Sequence, residues 1–448
     1  MMDAGRHPNI TLLTYSEVEG VSGYVGNFEV RIRKRARSVR EDICTGCGLC
    51  QEKCPAKVLD TVFEVGMGKR KAIYRPFGQA IPNVPVIDRE NCIYFLRGKC
   101  RACEKFCTVG AIDFEQQDEV LDVNVGAIIV ATGYAMWDPT GLSQYSYGQS
   151  PNILTGLQFE RLSSATGPTS GKIQLADGRE PERVAILHCV GSRDHNAHPY
   201  CSRFCCMYAL KHAHLVRDKT GAEVFEFYMD MRAFGKGYEE FYERVQEEGV
   251  VMVRGRGAEV TVLPDGRLRV KGEDANLSRV VSTDVDMVVL CTAIEAQPDA
   301  NHIGALFGLS RTQDGFFAEA HPKLRPVETN TEGVFLAGCA QGPRDIPDAV
   351  AHAGAAASMT IALLDRGEVT ISPSTAYVLR EACVGCGDCI PVCPYTAIVR
   401  VDGKAQINSA LCKGCGTCVA ACPAGAIEAL HFTDEQLVAQ IDGVLAWA

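Results

Sequence analysis

Cys44, Cys47, Cys50 and Cys54 are separated by two, two and three residues, and Pro55 follows the last of them. Three thiolates so spaced on a tight loop can grip three irons of one [4Fe–4S] cube, whereas the fourth lies too far along to close it. In two-cluster ferredoxins that fourth cysteine ligates the neighbouring cube, and a second run completes both. Gly46 and Gly48 suit the loop, because glycine permits left-handed turns and lets backbone N–H groups approach inorganic sulfur.

The arrangement recurs near the C-terminus, where Cys383, Cys386, Cys389 and Cys393-Pro394 precede Cys412, Cys415, Cys418 and Cys422-Pro423. The crossing rule joins Cys383, Cys386 and Cys389 to Cys422, and Cys412, Cys415 and Cys418 to Cys393. Zinc commonly takes two separated Cys-x2-Cys pairs, and the third cysteine and trailing Cys-Pro of each run argue against it. The N-terminal partner run is less regular: seven residues separate Cys92 from Cys100, Cys103 and Cys107 follow, and Thr108 replaces proline. The same rule places Cys44, Cys47 and Cys50 with Cys107, and Cys92, Cys100 and Cys103 with Cys54. The longer gap reshapes the loop over that second cube and shifts its potential through hydrogen bonding and solvent access.

These runs account for sixteen of the 22 cysteines, and four more crowd together as Cys189, Cys201, Cys205 and Cys206. At a helix start both adjacent cysteines can reach a common centre, so a fifth cluster of non-ferredoxin type is expected. A buried thiol cluster and a redox-active dithiol are the alternatives. Cys291 and Cys339 stand among small apolar residues and read as core.

The elements that must hold these groups fit a soluble globular chain of about three domains, given 448 residues, 46% hydrophobic and 22% charged. No apolar run reaches the roughly 18 residues of a membrane span; the best, Ala353 to Leu364, is short and broken by Ser358 and Thr360. The N-terminus lacks the apolar core of a secretory signal, which points to the cytoplasm, where thiols stay reduced. A net charge of −10 argues against nucleic acid as a partner, and the basic stretch from Arg31 to Arg40 reads as a solvated strand end.

Between the cysteine runs, apolar strands alternate with glycine turns and helices as in an α/β domain. Strands are expected over Ile10–Leu13, a hairpin from Val25 to Ile32, and strands over Val125–Gly133, Arg183–Ser192 and Asp286–Thr292. Where a dinucleotide site would place G-x-G-x-x-G after the Arg183 strand, the Cys189 constellation stands instead. Ala131, Thr132 and Gly133 end one strand in a small-residue turn. Gly338, Cys339, Gln341, Gly342, Arg344, Asp345 and Ile346 link another to a helix N-terminus, which offers backbone N–H groups to a flavin pyrophosphate or ring.

The whole sequence resembles the heterodisulfide reductase A-type subunit family of iron–sulfur flavoproteins. The resemblance is carried by Cys-Thr-Gly-Cys-Gly-Leu-Cys (44–50), Ala-Thr-Gly-Tyr (131–134), Cys-Val-Gly-Ser-Arg-Asp (189–194) and Tyr-Cys-Ser-Arg-Phe-Cys-Cys (200–206). Arg-Ala-Phe-Gly-Lys-Gly-Tyr-Glu-Glu-Phe-Tyr (232–242) and Leu-Ala-Gly-Cys-Ala-Gln-Gly-Pro-Arg-Asp-Ile-Pro (336–347) complete it. It implies an α/β fold: a partial thioredoxin-reductase-like flavin scaffold with one inserted and one C-terminal dicluster ferredoxin domain. The expected divisions are 1–38, 119–180 and 293–370 for the flavin domain, 39–118 for the inserted ferredoxin, and 181–292 for an NAD(P)H-domain-like unit carrying the cysteine cluster. The C-terminal ferredoxin takes 371–430 and a helix 431–448, with Leu437, Ile441 and Leu445 on one face.

The resemblance further implies an oxidoreductase subunit whose FAD takes an electron pair and releases single electrons at different potentials, that is, electron bifurcation toward a CoB–CoM-type heterodisulfide and ferredoxin. The Cys189 group would lie beside the flavin, with Lys211 facing the ring. Family members usually begin with a further cluster-binding region and the G-x-G-x-x-G half of the FAD site, so either a separate chain supplies that half, which is the favoured expectation, or this product binds flavin poorly by itself. The other implied partners are B- and C-type subunits and a donor module such as a hydrogenase or dehydrogenase small subunit. No Cys-Cys-Gly pattern of the disulfide-reducing partner occurs. The alternative is a wiring subunit of an aromatic-ring-reducing, formate- or hydrogenase-linked complex; a self-contained NAD(P)H flavoenzyme is disfavoured by the missing glycine fingerprint.

Overall fold

The computed structural model describes residues 2–369 and 373–446. Near the start, Ser16–Tyr24 (β1) and Asn27–Lys34 (β2) form a hairpin, and β2 pairs on its other side with Glu119–Val125 (β3). The 39–118 insert therefore leaves and re-enters one antiparallel sheet at neighbouring strands. The expected strand at Ile10–Leu13 is absent. Apolar content alone does not make a strand without a pairing partner, and here Ile10 and Leu12 are exposed. The hairpin also turns at residues 25–26, so its first arm precedes the expected Val25 start.

Ile128–Val130 (β4) follows, and then a five-stranded parallel sheet assembles from Ile153–Thr155 (β5), Arg183–Val190 (β6), Glu223–Tyr228 (β7) and Val251–Arg254 (β8). An antiparallel meander of Gly257–Val262 (β9), Leu268–Asp274 (β10) and Arg279–Val285 (β11) delays the fifth strand, Met287–Thr292 (β12). The sheet order is β5-β12-β6-β7-β8. Because β5 pairs with β12, this unit reaches back to Ile153, well before the expected boundary at 181. A three-residue edge strand carries too little periodicity to be seen in advance.

The inner strands are buried on both faces, which is why β6 and β12 read as continuous apolar runs. Three helices cover one face: Gly156–Ser163 (α1), Cys205–Thr220 (α2) and Tyr238–Glu247 (α3). There Val184, Ile186, Val224 and Val289 pack against Leu210, Ala213 and Val216 of α2. On the other face, Ala185, Leu187, Phe227 and Leu290 meet Val260, Leu268, Val270 and Val285 of the meander. Each fully buried leucine or valine contributes about 1.5–3 kcal/mol, so two such layers fix the carboxyl ends of β6, β7 and β12 firmly.

Val334–Leu336 (β13) returns to pair in parallel with β4, and the long helix Ile346–Arg366 (α4) follows. Val25, Phe28 and Val30 of the first sheet pack against Val130, Val334 and Leu336. In α4 only His352 and Ala356 are buried, and Ile346 (80% exposed), Val350 (67%) and Ile361 (66%) face outward.

The two cysteine-rich modules are built from short hairpins and single helical turns. The inserted one docks on α1, where Arg161 pairs with Glu64 at 3.0 Å and covers the Phe63 ring at 4.3 Å. The C-terminal one meets the scaffold through Lys413 and Glu332 at 3.3 Å. Its expected start near 371 and the last residues of the tail lie outside the described residues. The tail forms the helix Asp434–Leu445 (α5), capped by Thr433 and Gln436, with Leu437, Ile441 and Leu445 all exposed.

Candidate electron-transfer site

In both modules the cysteines ring small hollows. Cys44, Cys47, Cys50 and Cys107 line one of about 350 Å³, and Cys54, Cys92, Cys100 and Cys103 line one of about 330 Å³. In the C-terminal module Cys383, Cys386, Cys389 and Cys422 line a hollow of about 320 Å³, and Cys393, Cys412, Cys415 and Cys418 one of about 330 Å³. Each hollow thus takes three thiols from one run and the fourth from the other. The thiols stand around a space instead of meeting at a point, and among the described residues no three His, Cys, Asp or Glu side chains converge on a single-ion site. Four thiols around one hollow make up the ligand set of a [4Fe–4S] cube.

The hollows share a polarity. Cys47, Cys100, Cys386 and Cys415 are exposed, while Cys50, Cys103, Cys389 and Cys418 are buried and belong, two by two, to the core of their module. Paired cubes would therefore abut across buried sulfur and open to solvent on the outer side. Burial pushes the Cys50 thiol up to about 11 and the Cys103 thiol to about 12, so loading iron onto them must release protons. Backbone N–H groups reach sulfur at one repeated offset: Ala111 to Cys107 Sγ (3.2 Å), Ala397 to Cys393 (3.3 Å) and Ala426 to Cys422 (3.3 Å). Cys54 differs, because its chain enters the strand Lys57–Asp60 at once and its Sγ lies 4.0 Å from the Ala56 carbonyl.

Gly385 shows how narrow these loops are. Its φ is +73°, and a Cβ there would stand 2.1 Å from the carbonyl oxygen of Gly403, at the tip of the hairpin formed by Ile398–Val401 and Lys404–Ile407. We expect Gly385→Ala to cost at least the 1–3 kcal/mol of a disfavoured backbone conformation, with the clash added. Iron retention during anaerobic gel filtration checks this: the variant should lose iron from the C-terminal module while the inserted one stays loaded.

The third cysteine group sits at the carboxyl end of the parallel sheet, where the strand order changes direction and α/β proteins commonly bind ligands. Cys189 lies near the end of β6 with φ +57°, and Cys205 and Cys206 open α2. Phe204 supplies no side-chain cap, so the helix presents free N–H groups and the positive end of its dipole to these sulfurs. Cys189, Cys201 and Cys206 lie close enough to act electrostatically on one another. Burial, reinforced by Cys206, pushes the Cys189 thiol up to about 11. Cys206 is driven the other way by hydrogen bonds from Cys205 and His188. Cys205 leans toward the core beside Cys291, which is fully buried.

The turn after β4 and the turn after β13 stand side by side, since the Ala337 N–H donates to the Val130 carbonyl at 3.0 Å. This brings Ala131, Thr132 and Gly133 alongside Gly338 and Cys339. Cys339 is half-buried at the turn, not in the core, and its Sγ lies 3.4 Å from the Arg344 carbonyl. The Gly338 N–H is held by His352 Nδ1 at 3.0 Å, and burial keeps that imidazole neutral. Arg344 contacts Gln341, and its Nε is buried without a partner. Asp345 caps α4, accepting from Asp348 N–H at 2.9 Å and from the Tyr238 hydroxyl at 3.0 Å.

Arg203 connects this turn to the third cysteine group. Its backbone N–H donates to Cys201 Sγ (3.3 Å), and its guanidinium reaches the Pro343 carbonyl (3.3 Å) and Asp348 (2.8 Å). The next residue, Phe204, meets the Tyr134 ring at 5.7 Å with the planes tilted by 53°. Sequence reasoning missed Arg203, Tyr134 and Phe204, although all three lie inside the quoted motifs. It also missed Glu226, whose sign was a carboxylate two residues from Val224 on the same buried face of β7. Lys211 pairs through its ammonium with Glu160 of α1.

Comparison with known proteins gives the family. A 4Fe-4S dicluster domain matches residues 375–434, and a 4Fe-4S binding domain matches residues 38–60. The A-type subunit of the H(2):CoB-CoM heterodisulfide,ferredoxin reductase of Methanothermobacter thermautotrophicus is 50% identical over 449 residues, covering 99% of this chain and 67% of that protein. This chain belongs to the heterodisulfide reductase A-type subunit family. A second relative, the iron-sulfur A-type subunit of the CoB--CoM heterodisulfide reductase of Methanocaldococcus jannaschii, is 47% identical over 454 residues, with 99% and 68% covered. A solved thioredoxin reductase of Lactococcus lactis aligns at 14% identity with a TM-score of 0.36, covering 66% of this chain and 86% of its own, an overlap too low to bear on the fold. As a member of the heterodisulfide reductase A-type family the chain is an oxidoreductase and an electron-transfer subunit carrying [4Fe–4S] ferredoxin domains; its relatives are named as subunits of larger reductases. Among the described residues no helix is long and apolar enough to cross a membrane.

Proposed function

We propose that this chain distributes electrons within a heterodisulfide-reductase-like complex, through four ferredoxin clusters and a fifth at the carboxyl end of the parallel sheet. The observation that carries this is the set of four hollows, each ringed by four cysteines drawn from two runs. Cys44, Cys47, Cys50 and Cys107 would hold one cube and Cys54, Cys92, Cys100 and Cys103 its neighbour. Cys383, Cys386, Cys389 and Cys422 would hold the third, and Cys393, Cys412, Cys415 and Cys418 the fourth. Cys189, Cys201, Cys205 and Cys206 fit the fifth, given a rotation of Cys205 away from Cys291.

A flavin, when bound, converts between two-electron and one-electron transfer. The residues around the β4 and β13 turns suit its ring and sugar chain: Ala131, Thr132, Gly133 and Gly338 leave room for close approach, and Arg344 offers an unpartnered buried Nε. Asp345 already occupies an N–H at the start of α4, so the fit there is to hydroxyls or a neutral ring, not to a pyrophosphate. Arg203 and the Tyr134–Phe204 pair would keep water out between this turn and Cys201. The exposed apolar residues of α4 offer a face for a segment carrying the phosphate-binding half.

Co-expression tests this reading. Purified alone under anoxic conditions, the protein should carry iron and little flavin. Purified with a companion bearing a G-x-G-x-x-G segment, it should retain about one flavin per pair. Tight stoichiometric flavin on the isolated chain contradicts the shared site, and no flavin in either preparation contradicts the flavin reading altogether.

A further inference from the structure

His188 and Glu226 are fully buried at the end of the parallel sheet, on neighbouring strands β6 and β7, on the face covered by α2. His188 Nε2 lies 2.9 Å from Glu226 Oε1. The other imidazole nitrogen, Nδ1, is buried with no partner, and so is Glu226 Oε2. Cys206, at the start of α2, is the group that His188 interacts with on its free side. Burial constrains the charge of the pair. An ionised carboxylate beside a neutral imidazole would add a net negative charge to a site already filled with sulfur, which low-dielectric surroundings penalise heavily. A neutral pair keeps one proton between Nε2 and Oε1, and the remaining imidazole proton then sits on Nδ1. Cys206 Sγ also meets the Cys205 thiol and the Arg232 backbone N–H, and it lies 3.8 Å from the Asp230 carbonyl, so His188 is the one imidazole donor among its neighbours.

We propose that His188, held in place by Glu226, donates a hydrogen bond from Nδ1 to the Cys206 sulfur and so raises the reduction potential of the fifth cluster. The inference rests on the reading that the Cys189 group holds that cluster. Reduction adds negative charge to a cluster and its thiolates, and a donor aimed at a ligand sulfur stabilises the reduced form more than the oxidised one. Glu226 is a positioning residue: it never meets sulfur, but it fixes the ring orientation and occupies the nitrogen that faces away.

The test is a set of anoxic, EPR-monitored redox titrations on the full chain, with iron counted in each preparation. His188→Leu should keep the parent iron content and move one midpoint potential to a more negative value, leaving the four ferredoxin potentials where they were. His188→Gln, whose amide can still donate, should recover part of that shift, and Glu226→Gln, which still accepts from Nε2, should shift less than His188→Leu. If His188→Leu does not load, Glu226→Leu carries the same reading, since it leaves the imidazole without its anchor. An unchanged set of five potentials in the loaded variant overturns the proposal. A parent protein with about sixteen irons in place of about twenty overturns it at its foundation, and the iron count separates that failure from the first.

Discussion

Cys422→Ala removes the iron held with Cys383, Cys386 and Cys389, and spares the cube held by Cys393, Cys412, Cys415 and Cys418. The expected loss is about four irons per chain, one whole cube. Pairing variants makes the assignment decisive. Cys422→Ala combined with Cys386→Ala strikes one hollow twice and should lose no more than either change alone. Cys422→Ala combined with Cys415→Ala strikes two hollows and should lose about eight irons. An uncrossed arrangement gives the opposite pattern, so iron analysis of four preparations distinguishes them. The expectation follows from chain geometry: the tight loop spends three cysteines on one face, and Cys422 sits beyond it with the Ala426 N–H already directed at its sulfur.

The second large effect is on folding. Chelation of iron under anoxic conditions should unfold both cysteine-rich modules and leave the five-stranded sheet intact. The buried core of the C-terminal module is Ala376, Cys389, Ile398, Ala405, Cys418 and Ile427, so a third of it is thiol and half of the rest is alanine. A unit shorter than about 70–80 residues rarely draws more than 3–5 kcal/mol from its core, and this core is smaller than most. Cluster binding must supply the remainder, as metal does in other small metal-stapled domains. Hydrogen exchange checks it: protection should vanish over 39–118 and 375–430 and persist in β6 and β12. Protection retained in the stripped modules contradicts the account.

The cysteine runs were the most legible part of the sequence, because cluster loops impose fixed spacing and the hollows follow from it. Fully buried strands were nearly as clear, since β6 and β12 are apolar over most of their buried lengths, with His188 and Thr292 as the buried polar exceptions. Short elements were not. The strand β5 is three residues long and owes its existence to a parallel partner far away in sequence; β4 and β13 are as short, and only their runs into glycine turns marked them. Ile10–Leu13 shows the converse, an apolar run with no strand beside it. The site around Cys189 was half legible. Its thiols announce themselves, but Arg203, Glu226 and the role of His188 depend on which strands become neighbours, and no local pattern encodes that. Lys211 illustrates the limit from the other side: position on the helix was right, yet Glu160, supplied by α1, takes the charge.

We propose that thiolates from paired runs hold iron–sulfur cubes close enough to pass electrons. Iron and acid-labile sulfide, measured together on the anoxically purified chain before and after dithionite, address it directly. The account predicts about twenty of each per chain, a brown protein, and bleaching with the appearance of reduced-cluster EPR signals. Colourless protein without labile sulfide, or metal present as zinc at about one ion per hollow, contradicts it.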